Sequence, residues 1–301
     1  MNKILLIGST GQVGQELQHT LRPLGELTTL NRQQLDLTRS NEIEETIVAL
    51  APNVIVNASA YTAVDRAESE AETAMAVNAV APKAMAQAAK EIDSNLLHIS
   101  TDYVFDGKNY RPYTETDETN PLGVYGKSKL LGEQGILQNC DRYIILRTAW
   151  VYGSRGHGNF VKTMLRLGTE REELKVVADQ IGSPTWSFDI ARAISTLLEP
   201  EREVTSGIYN FTNSGVASWY DLAIAIFAEA AALGFPLKIK KVLPIKTEEY
   251  PTPAARPHYS VLAKDRYIRA SQDCPPYWRD SLRLMLREWQ QITNSQSSIH
   301  N

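Results

Sequence analysis

The stretch "KILLIGSTGQVGQELQHTL", Lys3 to Leu21, constrains the fold more than any other part of the chain. An apolar run, Ile4 to Ile7, ends at a glycine. Gly8, Gly11 and Gly14 then recur every third residue, and Val13, Leu17 and Leu21 follow at helical spacing. A strand that turns through glycines into a helix opens a βαβ unit. The free N–H groups at the helix mouth and its positive dipole end favour a pyrophosphate there. The spacing is G-x-x-G-x-x-G rather than G-x-G-x-x-G, and with no G-K-[ST] following it is not a Walker loop.

The alternation continues. "ELTTLN", "PNVIVNASA", "NLLHIS" and "RYIILRT" read as strands two to five. Helical spacing falls on "NEIEETIVAL", with Ser40 as its N-cap, and on the alanine-rich "AESEAETAMAVNAVAPKAMAQAAKEI", disturbed at Pro82. Short apolar strands alternating with helices predict an α/β fold, a doubly wound parallel sheet of Rossmann type. After Trp150 the rhythm changes. Helices are expected over "FVKTMLRLG", "DIARAISTLL" and "YDLAIAIFAEAAAL", strands over "ELKVVADQ" and "GIYNFTN", a loop over "YPTPAARPHYS" and a frayed tail over "NSQSSIHN". The expected organisation is a dinucleotide-binding domain over 1–150, completed by part of 185–215, with a smaller α/β substrate-binding region over 151–301. Trp219, Tyr220 and Trp278 are expected in the core.

A formal charge of -4 and the lack of a dense Lys/Arg cluster argue against a nucleic-acid surface. No apolar run is long enough to cross a bilayer, and "MNKILLIG" is too short for a signal peptide. Cys140 and Cys274 show no C-x-x-C spacing, which fits a reduced, cytoplasmic protein. His19, His98, His157, His258 and His300 form no ligand pair, so a catalytic zinc is not expected.

The second strand runs out at "TLNRQQLDL". An NAD site places an acid there, whereas Asn31 and Arg32 stand in this chain, and a guanidinium can grip a phosphate at two points. NADPH is the expected cofactor, with NADH as the alternative; Asp36 and Leu37 are the candidates for the adenine side. "HISTDYVFDG" puts Ser100 and Thr101 at the carboxyl end of the fourth strand, where ligands bind in such sheets. In "YGKSK", Tyr125 and Lys129 lie four apart on one helix face. An ammonium beside a phenol favours the phenolate and lowers its pKa. Thr101, Tyr125 and Lys129 are expected to converge over a nicotinamide.

Taken together, "GSTGQVG", "NASAYTAVDRAE", "STDYVFDG", "YGKSKLLGE", "RTAWVYG", "NFVKTMLRL", "DQIGSPTW" and "YPTPAARPHYS" resemble an extended short-chain dehydrogenase/reductase, specifically the dTDP-4-dehydrorhamnose reductases. The resemblance runs from residue 4 to about residue 262. It implies reduction of a 4-keto group on a dTDP-sugar by hydride from NADPH. Tyr125 would be the general acid, Lys129 would lower its pKa and hold the nicotinamide ribose, and Thr101 would hydrogen-bond the carbonyl. By the same resemblance Gly11, Gln12 and Val13 line the pyrophosphate, Ala60, Tyr61 and Thr62 face the cofactor, and Asp102 and Trp150 touch the sugar. Asn159 and Arg256 are further candidates for the sugar nucleotide, Arg256 because a diphosphate suits a guanidinium.

Some members of the family pair through a magnesium ion held by acidic side chains. Glu16 and Glu288 fall at two of those positions, but the third is Phe188, which cannot ligate a metal. Mg2+ is therefore doubtful, both acids read as surface glutamates, and a monomer or weak homodimer is expected. Three rivals stay open. A nucleotide-sugar 4,6-dehydratase would carry Asp-Glu after the threonine, where this chain has Asp102 and Tyr103. An epimerase would retain NAD. An NADP-binding regulatory subunit, resembling that of methionine adenosyltransferase, would not turn over.

Overall fold

The computed structural model describes residues 2–156 and 158–299, with side chains through Ser295. His157 and His300 lie outside the described residues.

Five strands, β1 (Lys3–Ile7), β2 (Glu26–Leu30), β3 (Val54–Asn57), β4 (Asn95–Thr101) and β5 (Tyr143–Thr148), join the strand Gly207–Asn210 in one six-stranded sheet. The order across it is Gly207–Asn210, β5, β4, β3, β1, β2, and every pair is parallel. Such a sheet is covered on both faces, and its strands read as continuous apolar runs. Ile4 and Leu6 of β1 enter one core with Val13, Leu17, Ile190 and Ile194, on the face covered by helices α1 (Gln12–Thr20) and α8 (Ser187–Leu197). Leu5 and Ile7 enter the opposite core, with side chains of α2 (Ser40–Leu50), α5 (Ala81–Glu91) and α6 (Val124–Asn139). This is the period of two that a strand imposes. Strand order switches between β1 and β3, the crevice where ligands bind in doubly wound sheets.

The alanine-rich stretch is more broken than expected. After the one-turn α3 (Val64–Ala67), helix α4 (Ala71–Met75) widens into a π-turn over Ala76–Val80 and then continues as α5. Pro82 sits in the first turn of α5, where its missing N–H costs least; the disturbance lies ahead of it, in the wide turn. Ser40 is the first residue of α2 rather than its cap, because Arg39 occupies the cap position without a side-chain bond. A third core gathers around α7 (Phe160–Glu170), α9 (Trp219–Ala232) and α11 (Trp278–Ile299). The expected frayed tail is helical as far as Ile299, since α11 carries on from a face that Leu282, Met285 and Leu286 anchor in that core.

Candidate active site

The glycine loop is built for close approach. Gly8 has a φ of +87°, and a β-carbon there would lie 2.7 Å from the Ser59 nitrogen. A β-carbon on Gly14 would lie 2.1 Å from the Gly8 carbonyl oxygen. Gly11, the N-cap of α1, differs: a β-carbon there would meet only the Gly8 oxygen, at an ordinary 3.5 Å. Its bareness therefore serves whatever lies over the loop rather than the fold beneath. Val13 is buried in the core, so it offers a ligand only backbone, and Gln12 accepts a hydrogen bond from Asn159 Nδ2 at 2.7 Å.

Beside this loop opens a cavity of about 800 Å³ lined by Thr10, Gln15, Asn31, Arg32, Gln33 and Gly156. Arg32, the residue expected to meet a phosphate, lines this cavity. Asp36 and Leu37 do not line it. The Asp36 carboxylate accepts from the Thr38 N–H and hydroxyl, which hold its pKa below the usual range, while Leu37 packs into the core with Leu35 and Ile43. After β3, Asn78 in the π-turn clamps the next loop from both sides, accepting from Tyr61 N–H at 2.8 Å and donating to the Tyr61 carbonyl at 3.1 Å. The Tyr61 hydroxyl donates to Glu70. The π-turn's function is then local: it aims a buried amide at the loop of Ala60, Tyr61 and Thr62.

Thr101 ends β4 and Tyr125 lies in the first turn of α6, near enough for the Thr101 hydroxyl to favour the phenolate. Gly126 lets the two elements meet, because a β-carbon there would lie 2.2 Å from the Tyr103 carbonyl oxygen. The phenol does not have the lowered pKa that the Tyr125–Lys129 spacing suggested. Burial pushes Tyr125 up to about 12, against the help of Thr101, and the buried Asp102 carboxyl adds to the rise. Lys129 is turned away from it: Nζ donates to the Ile99 carbonyl at 2.7 Å and lies 3.0 Å from His98 Nε2. Burial brings Lys129 down to about 8, opposed by Glu133 one turn along α6. The structure therefore presents a neutral phenol beside the Thr101 hydroxyl.

Asp102, 2 % exposed, accepts from the Thr101 hydroxyl at 3.1 Å, and burial raises its pKa to about 6. Sequence reasoning missed Tyr103, although it sits inside the quoted "STDYVFDG". Its ring meets the Tyr125 ring edge-on at 5.4 Å, and its phenol lies against the Arg256 guanidinium. Arg256 is tied by an ion pair to Asp65 at 2.8 Å and by bonds to the Thr252 hydroxyl and the Ala254 carbonyl. It fastens the Pro-rich loop to the segment after β3.

Trp150 takes a φ of +48°, rare for a bulky residue, and stacks on Trp219 with centroids 3.5 Å apart and planes within 2°. Gly182 makes room, since a β-carbon there would lie 2.4 Å from the Trp150 indole. Trp219 is thus a ring partner of Trp150 rather than plain core, and its Nε1 donates to Gln180 at 3.1 Å; Trp278 is buried as expected. Asn159 is the side-chain N-cap of α7, accepting from Lys162 N–H at 3.1 Å.

Glu16 is not a surface glutamate, and Glu288 is half-buried. Glu16 is 3 % exposed, and the two acids converge on Arg155 at 3.6 Å and 3.3 Å, with Ser154 donating to Glu288 at 2.6 Å. Burial, then the charge of Glu288, lifts the Glu16 pKa to about 7 despite Arg155. Phe188 packs on Trp186. A guanidinium between two carboxylates is a poor setting for a magnesium ion, and no cluster of three or more His, Cys, Asp or Glu suited to a metal occurs among the described residues.

The profile of the RmlD substrate binding domain family matches residues 1–291. The chain belongs to that family. Among curated relatives, a dTDP-4-dehydrorhamnose reductase of Escherichia coli K12 is 43% identical over 293 residues, covering 95% of this chain and 97% of that protein. Among solved structures, a dTDP-4-dehydrorhamnose reductase of Clostridium acetobutylicum superposes with a TM-score of 0.89 at 40% identity, covering 96% and 99% of the two chains. That of Bacillus anthracis, in complex with NADP, gives 0.88 at 37% identity, covering 96% and 100%.

Proposed function

We propose that this family member reduces the 4-keto group of dTDP-4-dehydro-β-L-rhamnose to give dTDP-L-rhamnose, with NADPH as reductant. The observation that carries the reading is the placement of Tyr125 beside Thr101 at the carboxyl end of β4, with Lys129 directly behind. NADPH, when bound along the glycine loop, supplies the hydride for the sugar C4. Gly8, Gly11 and Gly14 leave room for its pyrophosphate, and Arg32 takes its 2′-phosphate. Thr101 steadies the carbonyl oxygen as negative charge grows on it. Tyr125 gives that oxygen its proton, and a phenol with a pKa of about 12 is fully protonated at neutral pH, as a general acid must be. Lys129 holds the nicotinamide ribose; Asp102, Trp150 and the neighbouring Tyr103 contact the sugar, with Arg256 and Asn159 at the rim. Among the described residues no helix is long and apolar enough to cross a membrane, and the reading is of a cytoplasmic enzyme that acts on a small nucleotide sugar as a monomer or weak homodimer.

The test is turnover: purified protein, NADPH and dTDP-4-dehydro-β-L-rhamnose, followed by the loss of reduced-nicotinamide absorbance and by product analysis. NADPH oxidation with dTDP-L-rhamnose as product is the expected result. Cofactor binding without oxidation of any keto-sugar nucleotide would sink the reductase reading in favour of a binding role.

A further inference from the structure

Behind Lys129 lies a chain of buried polar side chains that the proposed reaction does not use. Asn57 closes β3, and His98 lies beside it on β4 at the matching register position; both are buried, as is Lys129. The Ser59 N–H can only donate, and it lies 3.0 Å from one Asn57 amide atom; the Ser59 hydroxyl donates to the same atom at 2.5 Å. That atom is therefore the oxygen, and the Asn57 amide nitrogen faces His98 Nδ1 at 2.9 Å. Nδ1 must then accept. Burial keeps the imidazole neutral, so its one proton sits on Nε2, 3.0 Å from Lys129 Nζ. An N–H can meet Nζ only where Nζ offers a lone pair. A neutral amine satisfies every member at once: it accepts from His98 and donates to the Ile99 carbonyl at 2.7 Å.

We infer that His98 is a positioning residue for Lys129, and that the Ser59–Asn57–His98 chain is arranged to match the neutral amine, so that charging Lys129 requires the chain to rearrange. An ammonium has no lone pair. Protonating Lys129 therefore requires His98 to carry its proton on Nδ1 and accept at Nε2, and Asn57 to turn its oxygen towards Nδ1. Turning that amide gives up both hydrogen bonds from Ser59. Ser59 in turn is the residue packed against Gly8, so the charge on Lys129 and the seating of the glycine loop are connected through three side chains. The groups facing Lys129 agree with this. From β4 comes the neutral His98, from β3 beyond it the uncharged Asn57, and from α6 itself the Tyr125 phenol one turn before and Glu133 one turn after; Glu133 alone favours the charge, and burial outweighs it.

The experiment reads the histidine tautomer directly. Protein labelled with 15N-histidine is observed ligand-free by long-range proton–nitrogen NMR, with His98→Phe identifying the resonances by their loss. Above the Lys129 pKa of about 8, His98 is expected as the Nε2–H form; below it, the form shifts to Nδ1–H as Lys129 charges. Asn57→Asp, which offers only acceptors to Nδ1, is expected to give Nδ1–H on both sides of that pH. Three results would each overturn the inference: Nδ1–H in the unaltered protein above that pH, an imidazole that itself titrates near the ordinary value of about 6.5, or no change of tautomer in Asn57→Asp. No substrate enters the measurement, so its failure is separate from a failure of the reductase reading.

Discussion

Glu133 and Arg147 form a buried two-point ion pair between α6 and β5, with Arg147 Nε 2.9 Å from one carboxylate oxygen and Nη2 2.6 Å from the other. The Ser100 hydroxyl donates to the same carboxylate at 2.5 Å. Glu133 lies one turn beyond Lys129, so this pair fixes the rotation of the helix that carries Tyr125 and Lys129 over the end of β4. Glu133→Ala, which strands a buried guanidinium, is expected to cost roughly 3–5 kcal/mol in urea unfolding. Replacing both partners by methionine should recover most of that loss.

Tyr125→Phe removes the proton donor and leaves the ring to pack against Tyr103. Turnover should fall roughly 10²- to 10⁴-fold, the usual share of general acid catalysis. NADPH affinity, followed by fluorescence titration, should barely move. A variant that kept most of its activity would remove Tyr125 from the mechanism.

Gly11 and Gly14 should separate binding from folding. Gly11→Ala finds room in the protein and is expected to leave Tm unchanged while weakening NADPH binding at least several-fold. Gly14→Ala drives a β-carbon onto the Gly8 carbonyl and should lower stability by about 1–3 kcal/mol. Calorimetry and cofactor titration on the two variants check this contrast.

Arg32→Ala should raise the KM for NADPH by about tenfold or more, the worth of one charge-assisted hydrogen bond of roughly 1.5–3 kcal/mol. The KM for NADH should stay as it is, because NADH carries no 2′-phosphate. Equal losses with both cofactors would show that Arg32 does not read that phosphate.

Glu16 sets a pH dependence of known sign. Its folded pKa, about 7, is raised from an ordinary 4.5. Stability tied to its neutral form is complete below about 4.5 and is lost as pH rises through about 7. Glu16→Gln, permanently neutral, should therefore gain on the unaltered protein as pH climbs through that window. The gain expected in urea unfolding above pH 7 is of order 1–3 kcal/mol. A stability difference that did not vary with pH would refute the shift.

The sequence by itself determined the strands, the glycine turn and the motif positions, because apolar periodicity and glycine spacing are local properties of a chain. It also placed Thr101 and Tyr125 at one end of the sheet, since chain order and parallel topology leave few alternatives. Tertiary structure alone decided the charges. A spacing of four puts Tyr125 and Lys129 on one face of α6, but only packing turned the lysine towards His98 and left the phenol in a buried site that raises its pKa. Glu16 and Glu288 read as surface acids because they lie far apart in the chain; the fold brings both to Arg155 and buries one of them. The Tyr103–Tyr125 contact and the Trp150–Trp219 stack are not legible in the sequence for the same reason, since their ring partners are supplied by other elements. Desolvation and side-chain partnership are properties of three-dimensional neighbours, and residue order does not encode them locally.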